Sequence, residues 1–257
     1  MQLQGLEGRA VLVTGAGSGI GKVVARMLSD AGAFVAAAAL GEESARASVH
    51  QLPASGANAL PLWGDVSASG VAAALVEATV QRWGKVDAVV HCAGLFHRGN
   101  LLDTTDVGWD HVVRTNLNGS FFVAREAARS MGKTGGGEIV LISSMWGTVG
   151  GSGRGAYGAA KAGVDMLARV AAAEWAPAGI RVYAVAPGWV RTEKNDRLME
   201  EGRLDLARMK AVAPGRAIVE MEEVGRLCSS LVSGEHPMLS GTVIRLDGGI
   251  TGWAGDV

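Results

Sequence analysis

Cysteine is scarce: the 257-residue chain has only Cys92 and Cys228, far apart in sequence. That pattern builds no disulfide framework. The two read as free thiols in a reducing compartment, and the expected location is the cytoplasm. Neither sign of charge is in excess, since 24 Lys and Arg against 25 Asp and Glu leave a net charge of −1. No basic surface for nucleic acid or an anionic membrane is therefore expected. No apolar run of about 18 residues occurs, so no transmembrane helix is expected. The opening run Met1-Gln-Leu-Gln-Gly-Leu-Glu-Gly-Arg9 lacks the apolar centre of a signal peptide. There is no internal repeat, no low-complexity tract and no break in composition that would mark a linker. His91 and His97 have no second ligand pair beside them, so no metal is expected. His50, His111 and His236 fit no ligand or catalytic template.

What the chain does have is apolar residues, 48% of the total against 19% charged, enough for an extensive core in one domain spanning 1–257. Short apolar runs at 9–14, 34–39, 59–63, 86–91, 137–143, 180–186 and 241–246 read as strands. Longer runs of helical periodicity lie between and after them, at 19–31, 42–52, 68–83, 108–131, 156–176, 195–211 and 220–233. Such alternation predicts an α/β fold, a doubly wound parallel sheet of about seven strands with helices on both faces.

The first strand, Arg9-Ala-Val-Leu-Val-Thr14, runs straight into Gly15-Ala-Gly17-Ser-Gly19-Ile-Gly21, and a helical run follows that stops at Gly32. Strand, glycine turn and helix together begin a dinucleotide-binding unit. The glycines let the backbone approach a pyrophosphate seated on the helix N-terminus. The common G-x-G-x-x-G spacing fails, because its last position falls on Ile20. A P-loop also fails, with Ala16 for its first glycine and Val23 for its Ser/Thr.

A second cluster lies mid-chain. Tyr157 and Lys161 stand four apart in Tyr-Gly-Ala-Ala-Lys, with Ser144 thirteen residues before the tyrosine. On a helix, residues four apart share a face. An ammonium there favours the phenolate and lowers the tyrosine pKa, which suits a proton donor and acceptor beside an alcohol or carbonyl. Taken alone, the pair reads first as a surface pair, and the glycine turn at the other end of the chain reverses that reading.

Taken together, these motifs resemble those of the short-chain dehydrogenase/reductase family over nearly the whole chain. The matching residues are Thr14-Gly-Ala-Gly-Ser-Gly-Ile-Gly21, Gly64-Asp65-Val66, Cys92-Ala93-Gly94, Asn116, Ser143-Ser144, Tyr157-x-x-x-Lys161, Pro187-Gly188-Trp-Val-Arg-Thr192 and Asp247-Gly248-Gly249. The single-domain members are the nearest in kind, such as oxoacyl-[acyl carrier protein] reductases and sugar or steroid dehydrogenases. The resemblance implies an oxidoreductase that moves a hydride between NADP or NAD and an alcohol/ketone pair. It implies that Ser144 orients the substrate oxygen and Tyr157 is the general acid/base. Lys161 would bind the nicotinamide ribose and lower the tyrosine pKa, while Asn116 holds a proton-relaying water. It also implies cofactor contacts from Gly15, Gly17, Ser18, Gly19, Ile20, Gly21, Asp65, Val66, Ala93, Gly94, Pro187, Gly188, Val190 and Thr192, besides Tyr157 and Lys161.

Where the family often has Asn-Asn-Ala-Gly, this chain has His91-Cys92-Ala93-Gly94, which reads as strand-end packing. The second strand ends at Ala39 with neither an acid for a ribose hydroxyl nor a base for a phosphate. Room at Ala39, with Lys22 or Arg46 in reach, tilts the expectation slightly to NADP. Trp146 and Trp189 would wall an apolar pocket, and Arg98 or Arg154 would meet an anion, though each reads equally as surface or packing. The stretch 189–213 is expected to act as a substrate lid. Family members are usually homotetramers, which is the expectation here. Two rival readings are a nucleotide-sensing regulatory protein without catalysis and a sugar-nucleotide epimerase or dehydratase. The first usually lacks a catalytic residue, and the second is typically longer.

Overall fold

Residues 5–53, 58–202, 204–211, 213–215 and 218–252 are described by the computed structural model. Seven strands form the central sheet: β1 (Ala10–Thr14), β2 (Phe34–Ala39), β3 (Ala59–Trp63), β4 (Ala88–His91), β5 (Gly137–Ile142), β6 (Ile180–Pro187) and β9 (Val243–Leu246). They lie in the order β3-β2-β1-β4-β5-β6-β9, and every neighbouring pair is parallel. Two further strands, β7 (Val190–Arg191) and β8 (Val219–Glu220), pair outside this sheet.

Period-two alternation divides each central strand between two cores. Val11, Val13, Val35, Ala37, Val90, Val140 and Val185 face one side, while Leu12, Ala36, Val89, Ile139, Leu141 and Ala184 face the other. Both faces are covered, so the strands read as unbroken apolar runs. The first side packs on α1 (Gly19–Asp30) and α9 (Met221–Val232), with α2 (Glu42–His50) alongside. The second packs on α3 (Ser69–Trp83), α5 (Gly119–Met131) and α6 (Gly155–Trp175). Small residues at the contacts (Ala124 and Ala127 on α5, Ala168 and Ala171 on α6) let these helices lie close against the sheet.

Two helices expected as continuous are not. The run 108–131 divides into α4 (Asp106–Val113), a π-helical turn at Arg114–Asn118, and α5. The start also moves back, because the Thr105 hydroxyl accepts the Gly108 N–H and caps α4. The run 195–211 divides into α7 (Glu193–Glu200) and α8 (Leu206–Ala211). Gly202, at φ 68°, stops the first of these in the left-handed region that glycine favours. The strands expected at 86 and 241 begin two residues later, at Ala88 and Val243.

The chain moves outward from β1 through β2 to β3, then crosses back to β4 beside β1. At such a switch point the two loops leave in opposite directions and open a crevice at the strands' carboxyl ends.

Candidate active site

Thr14 ends β1 and His91 ends β4, and the Thr14 hydroxyl and His91 Nδ1 share a hydrogen bond of 2.8 Å. The Ala93 N–H also donates to the Thr14 hydroxyl, at 3.3 Å. His91 thus replaces an asparagine's side-chain bonds with one of its own. Burial pushes its imidazole down to about 3, so it stays neutral, and pushes the neighbouring Cys92 thiol up to about 12. Neither is a reactive group, in agreement with strand-end packing.

Backbone meets backbone at this junction. A Cβ on Gly15 would lie 2.7 Å from the Ala93 nitrogen, and one on Gly21 would lie 2.3 Å from the Gly15 carbonyl oxygen. Glycine is required at both places by close approach. The loop opens a cleft of about 330 Å³ lined by Gly15, Gly17, Ser18, Asp65, Val66, Ala93 and Gly94. Gly19, Ile20 and Gly21 begin α1, whose N-terminus lies at the end of the same turn. Ala39 lies in the cleft wall as expected, with Leu40, Ser44, Leu95, His111 and Thr115 as further lining. His111 fits no sequence template and reaches the cleft only because α4 is folded beside it. The two cations expected near Ala39 are already occupied. Arg46 donates twice to Glu42, at 2.9 and 2.8 Å, and stacks on Trp63, while Lys22 Nζ lies 4.0 Å from Glu193.

The reacting groups converge beyond Gly94. Asn116 sits in the π-helical turn, a device that re-aims side chains inside a helix. Its amide nitrogen donates to the carbonyls of Leu95 and Val112, each at 3.0 Å, leaving Oδ1 buried without a hydrogen-bond partner among the described residues. A Cβ on Gly94 would lie 2.7 Å from that oxygen and 3.6 Å from Lys161 Nζ. Lys161 is buried and donates to the Ile142 carbonyl at 2.8 Å, with its Nζ 5.7 Å from the Tyr157 ring centre. Burial lowers the ammonium to about 8, against the opposing pull of Cys92 and Asp165.

Tyr157 departs from expectation in one respect. Burial raises its phenol, and the groups that hold it down are the Ser144 hydroxyl, by a hydrogen bond, and the Arg154 charge. The Lys161 ammonium donates to the Ile142 carbonyl and lies 5.7 Å from the Tyr157 ring centre. Ser144 follows β5 in an extended conformation, and its hydroxyl also accepts the Trp146 N–H at 3.3 Å.

Pro187 ends β6, and Gly188, Val190 and Thr192 follow it, all outside the lining of the cleft. A Cβ on Gly188 would touch the Asp247 backbone at 2.9 Å, and the Thr192 hydroxyl caps α7 by accepting the Asn195 N–H at 3.2 Å. The Trp146 and Trp189 rings meet edge to face at 5.8 Å, joining this turn to the Ser144 loop.

A family model described as enoyl-(acyl carrier protein) reductase matches residues 15–251. The chain belongs to the short-chain dehydrogenase/reductase family. It is 34% identical over 246 residues to the 3-oxoacyl-[acyl-carrier-protein] reductase FabG of Thermotoga maritima, covering 95% of this chain and 98% of that one. It is 36% identical over 247 residues to the cis-4-hydroxycyclohexanecarboxylate dehydrogenase of Sinomonas cyclohexanicum, covering 95% and 96%. A solved actinorhodin polyketide ketoreductase with NADPH superposes with a TM-score of 0.88 at 32% identity, covering 96% and 98%. This short-chain dehydrogenase/reductase is an NAD(P)-dependent oxidoreductase acting on CH–OH or keto groups.

Proposed function

We propose that Tyr157 is the general acid/base in a reversible hydride transfer between a nicotinamide cofactor and a small secondary alcohol or its ketone. The carrying observation is the convergence of Ser144, Tyr157 and Lys161, with Asn116 Oδ1 and Gly94 on the far side of the lysine. The cleft along Gly15 to Gly21, Asp65, Val66, Ala93 and Gly94 fits the dinucleotide, since its backbone approaches leave no room for side chains. Pro187, Gly188, Val190 and Thr192 are assigned to the carboxamide end. When bound, the dinucleotide supplies a hydride to the carbonyl carbon or takes one from the carbinol.

Ser144 donates to the substrate oxygen and orients it. In reduction Tyr157 gives that oxygen its proton, and in oxidation it takes the proton back. Lys161, buried and cationic below its lowered pKa, holds the phenolate charge and the ribose, and Asn116 anchors the relay behind it. All four positions are filled, which separates this reading from that of a non-catalytic nucleotide sensor.

The cofactor reading leans to NADP with modest discrimination, because Ala39 offers neither an acid nor a base. The ketoreductase that superposes on the chain was solved with NADPH. The residues 189–213 form the substrate lid, of which Arg203 and Val212 lie outside the described residues. The assembly is a homotetramer, and the compartment is the cytoplasm, in keeping with two free thiols.

The test is a panel of ketones, alcohols and sugars, each followed by absorbance with NADPH and NADH. We expect turnover of at least one pair, lost at least about 100-fold in Tyr157→Phe, with cofactor affinity little changed. Residual activity within about tenfold of wild type would remove Tyr157 from the role.

A further inference from the structure

Arg154 is a buried arginine that no carboxylate neutralises among the described residues. It is 8% exposed, yet its only hydrogen bond among the described residues is a long one, 3.4 Å, from one terminal nitrogen to the Gly153 carbonyl. Its Nε is buried without a partner, and no carboxylate pairs with it among the described residues. A buried guanidinium in that condition has given up hydration for little in return. Two aromatic rings hold it in place: Phe96 at 4.7 Å and Trp146 at 5.3 Å from the guanidinium carbon to the ring centres.

The position of this charge is specific. It lines a cavity of about 550 Å³ between the glycine-rich loop 147–155, Leu101 and the first turns of α6. Phe96, which covers one side of the guanidinium, also packs edge-on against Tyr157 at 5.1 Å. Phe96 therefore bridges Arg154 to the reacting phenol. Its charge reaches that phenol, where it counts among the influences holding the pKa down. Arg98, exposed, runs along the same loop: a Cβ on Gly153 would lie 3.3 Å from its Cγ. The charge of Arg98 adds to that of Arg154 and makes the site more positive still.

We propose that Arg154 is a specificity-determining residue that binds the carboxylate of the substrate, so that the preferred compounds are hydroxy acids or keto acids with an apolar or aromatic body. The inference rests on the oxidoreductase reading above and deepens it. A carboxylate matches the planar fork of a guanidinium in two parallel hydrogen bonds and supplies the acceptors that the fold withholds. Trp146 and Leu101, which line the cavity, provide apolar surface for the body of the molecule. No new chemical step is added: the anion fixes the end of the substrate away from the carbonyl, and the ketone stays at Ser144 and Tyr157.

The probes are 4-acetylbenzoate, its methyl ester, 4-methylacetophenone and acetoacetyl-CoA, each with NADPH and NADH, on wild type, Arg154→Gln, Arg154→Lys and Arg98→Gln. Benzoate binding is measured in parallel by calorimetry. We expect wild-type kcat/KM to favour the acid over its ester by about tenfold or more, the worth of roughly one charge-assisted contact. That ratio should fall toward one in Arg154→Gln and part of the way in Arg154→Lys, whatever the absolute rates. Should the Arg154 variants not fold, the acid-to-ester ratio of wild type decides alone. If no ketone is turned over but benzoate binds wild type and not Arg154→Gln, the anion site stands and the substrate reading above fails instead. A wild type indifferent to the carboxylate overturns the proposal. So does a ratio unchanged in both Arg154 variants, a preference removed by Arg98→Gln instead, a clear preference for acetoacetyl-CoA, or an absence of benzoate binding, as when a second copy's acid already occupies the guanidinium.

Discussion

Lys161 carries its ammonium into a site nearly closed to water, and the consequence is measurable as a stability effect. Its folded pKa is depressed to about 8 from 10.5, chiefly by burial. Between those values the unfolded chain binds a proton that the folded chain does not, so stability rises with pH across that window. Below about pH 8 the buried charge is a full penalty, and above about 10.5 it vanishes. Urea unfolding of wild type and Lys161→Met at pH 7 and pH 10 isolates this group. The stability of wild type relative to the variant should grow by on the order of 2 kcal/mol, and a constant difference would show that the ammonium is better solvated than its burial implies. Ala39 provides the second test at this scale. Ala39→Asp places a carboxylate in the cleft wall, where it accepts from a ribose hydroxyl and repels a phosphate. The ratio of kcat/KM for NADPH over NADH should fall in the variant. A wild type strongly selective for NADH, or an unchanged ratio, would show that Ala39 does not face the ribose.

At the scale of elements, the π-helical turn at Arg114–Asn118 and the divided segment 189–213 both depart from the regular helices that periodicity suggests. The turn adds one residue per cycle, which swings Asn116 toward Leu95 and Lys161. The sequence shows only an asparagine at the family's position. The second segment is loosely built. Val190–Arg191 and Val219–Glu220 form a two-residue pairing, and α7 contributes no buried residue among those described. Few apolar contacts mean a low local opening free energy. Native-state hydrogen exchange in 189–202 should therefore be much faster than in β1, β4 and β5, and should slow when cofactor and substrate are added. Protection equal to that of the central strands would argue against a lid.

The whole molecule leaves large apolar side chains uncovered on the side away from the sheet. Leu102 is 93% exposed and Val107 79%, with Trp109 of α4, Phe121 of α5, and Met166 and Val170 of α6 also exposed. Met166 and Val170 are one helical turn apart, so they form a continuous stripe. Such exposed apolar surface is where the proposed subunit contacts are expected to form. We expect light scattering to give the mass of four chains, and Met166→Glu with Val170→Glu to lower the assembly order while each chain keeps its helical signal. A wild-type monomer at micromolar concentration would contradict the expectation.

Local chemistry made much of this protein legible from its sequence. Strand, glycine turn and helix follow from backbone demands at Gly15 and Gly21 that few residues can meet. The alternation of short and long apolar runs specifies a parallel sheet covered on both faces. The Tyr157–Lys161 spacing places two groups on one helix face wherever that helix lies. Tertiary structure alone decided the rest, because those facts depend on residues distant in sequence. His91 became a bonded, neutral packing residue only when β4 was laid beside β1 and Thr14. His111 entered the cleft by the placement of α4, and Arg46 came to stack on Trp63. Lys161 found the Ile142 carbonyl, and the Arg154 charge came to bear on Tyr157 as well. In sequence that arginine reads equally as a contact for an anion and as plain surface or packing. Folding buried it between Phe96 and Trp146 with no counter-charge among the described residues, and burial is what turns an ordinary side chain into a demand for a ligand.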